Sequence, residues 1–266
     1  MAKQRLDTLL AERGIFTSRS QAAASVMAGE VHVGAGRRTA AKPSELVDRD
    51  ELLEVRERAA YVSRGGVKLA NALGASSIDP TGRRAIDIGA STGGFTDCLL
   101  AHGASEVIAL DVAYGQFDYA LRSDPRVHVI ERVNAREITP QMLPYAPDLA
   151  VIDVSFISLV KVLPAVIGVL APMHDVLALV KPQFEVGKGR VGKGGVVRDP
   201  DLRREALETA ATAAIDLGES VLGFFSSGLP GPKGNRESFV WLAQAGRQGA
   251  ARTQEDVSTM AKQVEP

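Results

Sequence analysis

"AIDIGASTGGFTDCLL", residues 85–100, is the stretch from which the rest of the chain can be ordered. An apolar run reaches an acid, Asp87, then turns through Gly89, Gly93 and Gly94 into a segment with helical spacing. Glycine permits a tight backbone and the close approach of a ligand, and the helix N-terminus that follows offers free N–H groups. The pattern recurs downstream. "RRAIDIGA", "EVIALDV", "VHVIERV", "DLAVIDVS" and "DVLALVK" read as strands, with helices expected at 93–102, 115–122, 136–143, 157–170 and 200–217. Near-continuous apolar strands alternating with helices predict a parallel sheet covered on both faces. "SVLGFFSS" and "ESFVWLA", separated by the loop "GLPGPKGNR", read as an antiparallel pair closing that sheet. The expected class is α/β, a Rossmann-like sheet with an antiparallel closing strand over residues 83–245.

Residues 1–58 form a smaller α+β unit. Leu6, Leu9 and Leu10 share a helical face; Ser18 is placed to cap a second helix that Gly29 ends. "VHV" and "ELLEV" read as short strands joined by the loop "GAGRRTAAKPSELVDRD". Residues 59–82 read as a connector and 246–266 as a polar tail, although Val257, Met260, Ala261 and Val264 recur there at helical spacing.

The totals exclude several classes. With 266 residues, 45% hydrophobic, there is material for one medium domain and one small one. A net charge of -1 leaves nucleic-acid contact to local patches. The single cysteine, Cys98, forms no internal disulfide and is expected to pack behind the glycine turn, in keeping with a reducing cytoplasm. The N-terminus carries charges where a signal peptide needs an apolar core. The apolar window 149–172 is broken by Asp153, Lys161 and Pro164, so no membrane span is expected. His32, His102, His128 and His174 are scattered, so no metal site is expected.

The turn at 89–94 departs from a dinucleotide fingerprint: Ser91 stands where glycine is required and the spacing differs. Asp111 ends the second strand about 20 residues on, where an acid accepts from ribose hydroxyls. Asp87 is placed to meet an amino group. Acids on both sides of a glycine turn suit a zwitterionic sulfonium nucleoside, S-adenosylmethionine. A second segment, "GKGRVGKGG" at 187–195, nearly matches a phosphate loop, but Gly194 replaces the required Ser or Thr. A basic loop over a polyanion, carrying Lys188, fits better. Asp153 and Lys181 each end a strand and are expected to face the crevice at the carboxyl edge of the sheet.

Several further stretches carry a resemblance: "YVSRGGVKL", "DVAYGQ", "DPRVHVIERVNAR", "DVSFISL", "LVKPQFEVGKGRVGKGGVVRD" and "PGPKGNRESF". With the glycine turn they resemble the TlyA family, proteins named haemolysins that are ribosomal RNA 2′-O-methyltransferases with an FtsJ-like catalytic domain. "RLDTLLAERG", "SRSQAA" and "GEVHV" resemble a small RNA-binding domain first seen in a ribosomal protein. The resemblance spans residues 3–245. It implies a catalytic tetrad of Lys68, Asp153, Lys181 and Glu237. It implies a cofactor site at Asp87, Gly89, Ser91, Gly93, Gly94, Phe95, Asp111 and Asn134. The expected RNA contacts are Arg5, Arg13, Arg19, Arg37, Arg38, Lys42, Arg64 and Lys188, on ribosomal RNA or ribosomal subunits.

A tetrad of this kind has a physical use. A ribose 2′-hydroxyl is a poor nucleophile whose proton must leave as the methyl arrives. Lys181 would hydrogen-bond that oxygen, and a nearby Lys68 would make a second ammonium costlier, so that one amine accepts the proton. Asp153 and Glu237 would orient the amines. The expected activity is methyl transfer to a cytidine 2′-OH, on the large subunit first and on the small subunit if the tail contributes. The alternatives are an RNA-binding protein with an inactive fold and a membrane-lytic protein. Four retained tetrad types oppose the first, and the lack of a strongly amphipathic cationic helix opposes the second.

Overall fold

The computed structural model describes residues 3–27, 29–55, 60–251 and 253–265, with the backbone alone at position 188. It divides into two compact units, Met1–Ala60 and Tyr61–Pro266.

In the first unit β1 (Lys3–Arg5) leads into α1 (Leu6–Glu12) and α2 (Arg19–Met27). Ser18 Oγ accepts from the Gln21 N–H at 3.2 Å, the expected cap, and Gly29 follows α2 at φ +76°. β2 (Val31–Val33), β3 (Arg38–Thr39), β4 (Leu46–Asp48) and β5 (Leu53–Val55) come next. The long loop expected between two strands therefore contains two more. β3 and β5 flank β2, while β4 pairs with β1. Leu6, Leu9, Leu10, Ala22, Val26, Val31, Val33 and Val47 form a core of their own. Apolar residues at helical spacing in α1 and alternating ones in β2 supply it.

The second unit opens with α3 (Arg64–Ala75), inside the stretch expected as a connector. It is a capped, amphipathic helix: Ser63 accepts from the Gly65 N–H, and Leu69, Ala72 and Leu73 are buried. Then follow β6 (Arg84–Ile88), α4 (Gly94–Ala101), β7 (Glu106–Asp111), α5 (Tyr119–Arg122), β8 (Val127–Glu131) and β9 (Leu149–Ile152). After these come α6 (Leu163–Ile167), β10 (Asp175–Val180), α7 (Pro182–Glu185) and α8 (Pro200–Asp216). Last are β11 (Ser220–Ser226), β12 (Ser238–Ala243) and α9 (Gln254–Val264). The strands order as β11-β12-β10-β9-β6-β7-β8, and β12 alone runs antiparallel to its neighbours. Leu149, Val151, Leu177 and Leu179 pack on the α3–α4 face; Ala150, Ile152, Val176 and Ala178 pack on α6, α8 and α9. This is the expected Rossmann-like sheet with its antiparallel closing strand.

Three expected helices shrink, 115–122 to the four residues of α5. Residues 136–143 form only 3-10 turns, at Ala135–Glu137 and Pro140–Met142, and 157–170 yields α6 after a 3-10 turn at Leu159–Lys161. Pro140 and Pro164 each sit at the first turn of their segment, where a missing N–H is tolerated and a longer helix running through is not. The expected polar tail carries α9, started by a Thr253–Asp256 capping box and buried through Val257 and Ala261.

Candidate active site

The winding of the sheet reverses between β6 and β9, and ligands of open α/β sheets bind at the carboxyl ends of strands at such a point. Here the chain is very tight. The Asp153 N–H donates to the Ile88 carbonyl at 2.9 Å, and a Cβ on Gly89 would lie 2.5 Å from the Asp153 carbonyl oxygen. Gly89 also has φ +86°, so side chains are excluded twice over. Ser91 is left-handed at φ +49° and donates its N–H to Asp111 Oδ2 at 2.7 Å; Asp111 Oδ1 accepts from Ala113 N–H at 2.7 Å. Asp111 thus fastens the turn as well as facing the cavity beside it. Gly94 has a different reason. A Cβ there would meet Ser63 Oγ at 2.0 Å and the Gly66 nitrogen at 3.0 Å, so its smallness also seats α4 against α3, while the residue lines the cavity beside the turn.

Asp87 is fully buried. Its Oδ2 accepts from the Thr96 N–H at 2.9 Å and from Thr96 Oγ1 at 2.8 Å, while Oδ1 has no partner among the described residues. Burial, reinforced by Asp153 and Asp111 and opposed by Thr96, pushes its carboxyl up to about 7. An orphaned acceptor in the wall of a cavity is an invitation to a donor.

Two lysine–carboxylate pairs stand beside the turn. Lys68, on α3, lies 2.5 Å from Glu237 Oε2, with the side chains 8% and 1% exposed. Lys181, at the end of β10, lies 2.5 Å from Asp153 Oδ1 and donates an aligned hydrogen bond to Ser155 Oγ at 2.9 Å. The reversed direction of β12 delivers Glu237 to the carboxyl edge of the sheet. Each lysine has its own carboxylate, so the mutual repulsion expected of the amines is offset by pairing.

Three cavities share Asp153 as a wall. One of about 510 Å³ is lined by Gly89, Ser91, Asp111 and Asn134; one of about 360 Å³ by Asp87, Gly89, Ser91 and Arg64; one of about 450 Å³ by Lys68, Lys181, Gln183 and Glu237. These volumes lie in the range of small-molecule sites. The four tetrad residues meet at the third. Asn134 lines the first and caps a 3-10 turn, its Oδ1 accepting from the Arg136 N–H at 3.1 Å. Phe95 packs into the core, its ring 5.8 Å from that of Phe239, and lines the second cavity with Asp87. Gly93, at φ +96°, would place a Cβ 2.6 Å from Leu121. Arg64 donates to the Pro230 carbonyl at 2.8 Å, which fixes the loop above Lys68. Cys98 is buried, and burial pushes its thiol up to about 12, a packing residue.

In the first unit Arg5 and Arg19 both pair with buried Asp7, at 2.7 and 3.1 Å, and hold its carboxyl well below the usual range. Arg13 donates to the Glu51 carbonyl, Arg37 pairs with Glu54, and Arg38 with Glu45. Lys42 is exposed. Most of these cations therefore brace their own unit. The side chain of Lys188 lies outside the described residues.

Sequence reading passed over Ser155, Gln183 and Phe156. Gln183 Oε1 is buried in the tetrad cavity without a partner among the described residues. Phe156 is 91% exposed at φ +64° and stacks obliquely on Phe184, with ring centroids 5.3 Å apart. A large exposed aromatic in a left-handed conformation is rare. The only trace of it in the sequence is a Phe directly following a strand end.

A Rossmann-like sheet with a glycine turn at its switch point, flanked by lysine–carboxylate pairs, defines the class as a methyltransferase domain, here following a small separate unit. Residues 61–244 match the FtsJ-like methyltransferase family and residues 4–51 the S4 domain. The chain is 48% identical to the 16S/23S rRNA (cytidine-2′-O)-methyltransferase TlyA of Mycobacterium tuberculosis, over 99% of this chain and 95% of that one. It is 42% identical to Hemolysin A of Brachyspira hyodysenteriae, over 88% and 97%. A solved hemolysin structure from Streptococcus thermophilus superposes with a TM-score of 0.73 at 39% identity, covering 99% and 96%. This chain belongs to the TlyA family of FtsJ-like methyltransferases.

Proposed function

We propose that this protein transfers the methyl group of S-adenosylmethionine to the ribose 2′-hydroxyl of a cytidine in ribosomal RNA. The observation that carries the reading is the convergence of Lys68–Glu237 and Lys181–Asp153 on one cavity that shares Asp153 with the glycine-turn cavities. The cytidine and the RNA class come from the named M. tuberculosis relative.

The residues present fit the cofactor. Asp87 offers its orphaned Oδ1 to an amino group, Gly89 leaves room, and Asp111 and Asn134 offer acceptors to ribose and base. S-adenosylmethionine, when bound, supplies an electrophilic methyl on sulfur. The chain's own side chains handle the hydroxyl. Lys181, once its own proton has left to solvent, takes the proton of the 2′-oxygen, and Asp153 holds the resulting ammonium. Lys68, locked on Glu237, adds fixed positive charge where negative charge develops. Phe156 presents a ring face to an unstacked base, and Gln183 an acceptor to a base amino group.

The S4 unit is read as an RNA-docking module, with Lys42 and the outer faces of the arginines on phosphates. Ribosomal subunits as partners, a cytoplasmic location and modification of both subunits belong to the same reading. No described helix is long and apolar enough to cross a membrane, which does not favour the lytic alternative.

Labelled cofactor and ribosomal RNA from both subunits test this. Lys181→Ala should lower methyl transfer by ~10²-fold or more while cofactor and RNA affinities hold. Lys181→Arg should not restore it, because guanidinium accepts no proton. Activity within a few-fold of wild type in either variant would remove Lys181 from the chemistry.

A further inference from the structure

A fourth cavity, of about 450 Å³, lies outside the group around Asp153 and is lined by Arg198, Arg203, Lys233 and Arg236 with Val196 and Val197. Lys233 lines both it and the tetrad cavity, so the two are neighbours. The walls are braced from within. Buried Asn235 accepts from the Val197 N–H at 2.9 Å and donates to the Gly195 carbonyl at 2.8 Å, tying the two wall segments together. Arg203 is 7% exposed; its Nε donates to Glu265 Oε2 at 2.9 Å and its Nη1 to the Arg198 carbonyl at 2.6 Å. Neither bond uses Nη2. Arg236 lies 4.0 Å from the same Glu265 and keeps its side chain 70% exposed. Four cations thus converge where one buried carboxylate, Glu265, stands behind the wall, leaving surplus positive charge at a preformed concavity.

We infer that this cavity is a phosphate subsite that grips the RNA backbone next to the target nucleotide. The inference rests on the proposed RNA methyl transfer. Lys233 is the wall common to both cavities, so a strand whose ribose sits at Lys181 can lay a flanking phosphodiester there. Guanidinium forks match phosphate oxygens in pairs, and a fixed fork loses less freedom on binding than a loose one. Contacts of this kind set register without reading sequence. The subsite would hold the strand so that one ribose, rather than its neighbours, reaches the amines.

The test uses the full chain with in vitro transcribed 16S and 23S ribosomal RNA, binding being measured over a range of salt. Arg198 and Arg236 are exposed, so their replacement spares the Arg203–Glu265 pair. The double variant Arg198→Ala/Arg236→Ala should bind RNA about ten-fold more weakly at low salt, and the slope of log K against log salt should fall by about 0.7 for each phosphate no longer neutralised. Arg198→Lys/Arg236→Lys should keep a slope near that of wild type. Calorimetry with S-adenosylmethionine should give wild-type affinity in all variants, as the cofactor cavities are separate. Unchanged RNA affinity and slope in the alanine variant would overturn the subsite. So would inorganic phosphate or ATP binding there while the variants keep normal RNA binding, because the pocket would then serve a free anion. A wild-type chain that binds RNA but methylates neither species would sink the proposed function, whereas a shallower slope in the alanine variant would still support the subsite.

Discussion

Asp87 carries an unusual burden for a single side chain. It is fully buried, half its carboxylate is unpartnered, and its carboxyl is pushed up to about 7. In the unfolded chain an Asp titrates at ~3.9. Between those values the native state binds more protons than the unfolded state, so this residue makes stability fall as pH rises from about 4 to about 7. The cost is on the order of 4 kcal/mol or less above that window. Asp87→Asn keeps an acceptor for Thr96 and removes the titration. Its melting temperature should match wild type near pH 4 and exceed it at pH 8. Cofactor affinity should move oppositely: in wild type it should rise with pH through 7, as the ionised form attracts an ammonium, and in the variant it should be weak and flat. Parallel melting curves for the two proteins would show that Asp87 does not titrate in this window.

Among the elements, α9 is the one whose role differs most between sequence and structure. Its buried face rests on α8 and β11, and Glu265 at its end supplies the partner of buried Arg203. Removing one member of such a pair leaves an uncompensated charge, so Glu265→Ala should cost about 3–5 kcal/mol in denaturant unfolding. A destabilisation below about 1 kcal/mol would mean that solvent reaches Arg203. Truncation at Gly246 is therefore a poor probe of small-subunit specificity; substitutions on the exposed face of α9 are the better one. The strands and α8 were legible because burial on both sheet faces writes long apolar runs. α3 was hidden because "SRGGVKLANA" holds two glycines near its start and a lysine on its buried side. The tetrad residues were each visible as polar strand ends or motif members, yet their pairing was not. Which lysine meets which carboxylate depends on the direction of β12, and nothing local in "GNRESF" encodes that.

At the scale of the molecule, the two units have separate cores, one within residues 1–60 and the others within 61–266. Deleting residues 1–60 should leave a cooperatively melting protein that binds S-adenosylmethionine. RNA affinity should drop. The salt slope should become shallower by less than Arg5, Arg13, Arg19, Arg37, Arg38 and Lys42 would give if all met phosphates, because Arg5 and Arg19 already share Asp7. Equal RNA affinity with and without the first unit would deny it a docking role. The reversed strand has a temporal meaning too. Lys68 and Glu237 are separated by 169 positions, and the later one directly precedes β12, the last strand in the sequence. A chain still emerging from the ribosome therefore holds a lysine awaiting its counterion until β12 slots between β10 and β11. The tetrad cavity is therefore completed only by the strand that closes the sheet, and a chain folded up to β11 lacks one wall of it.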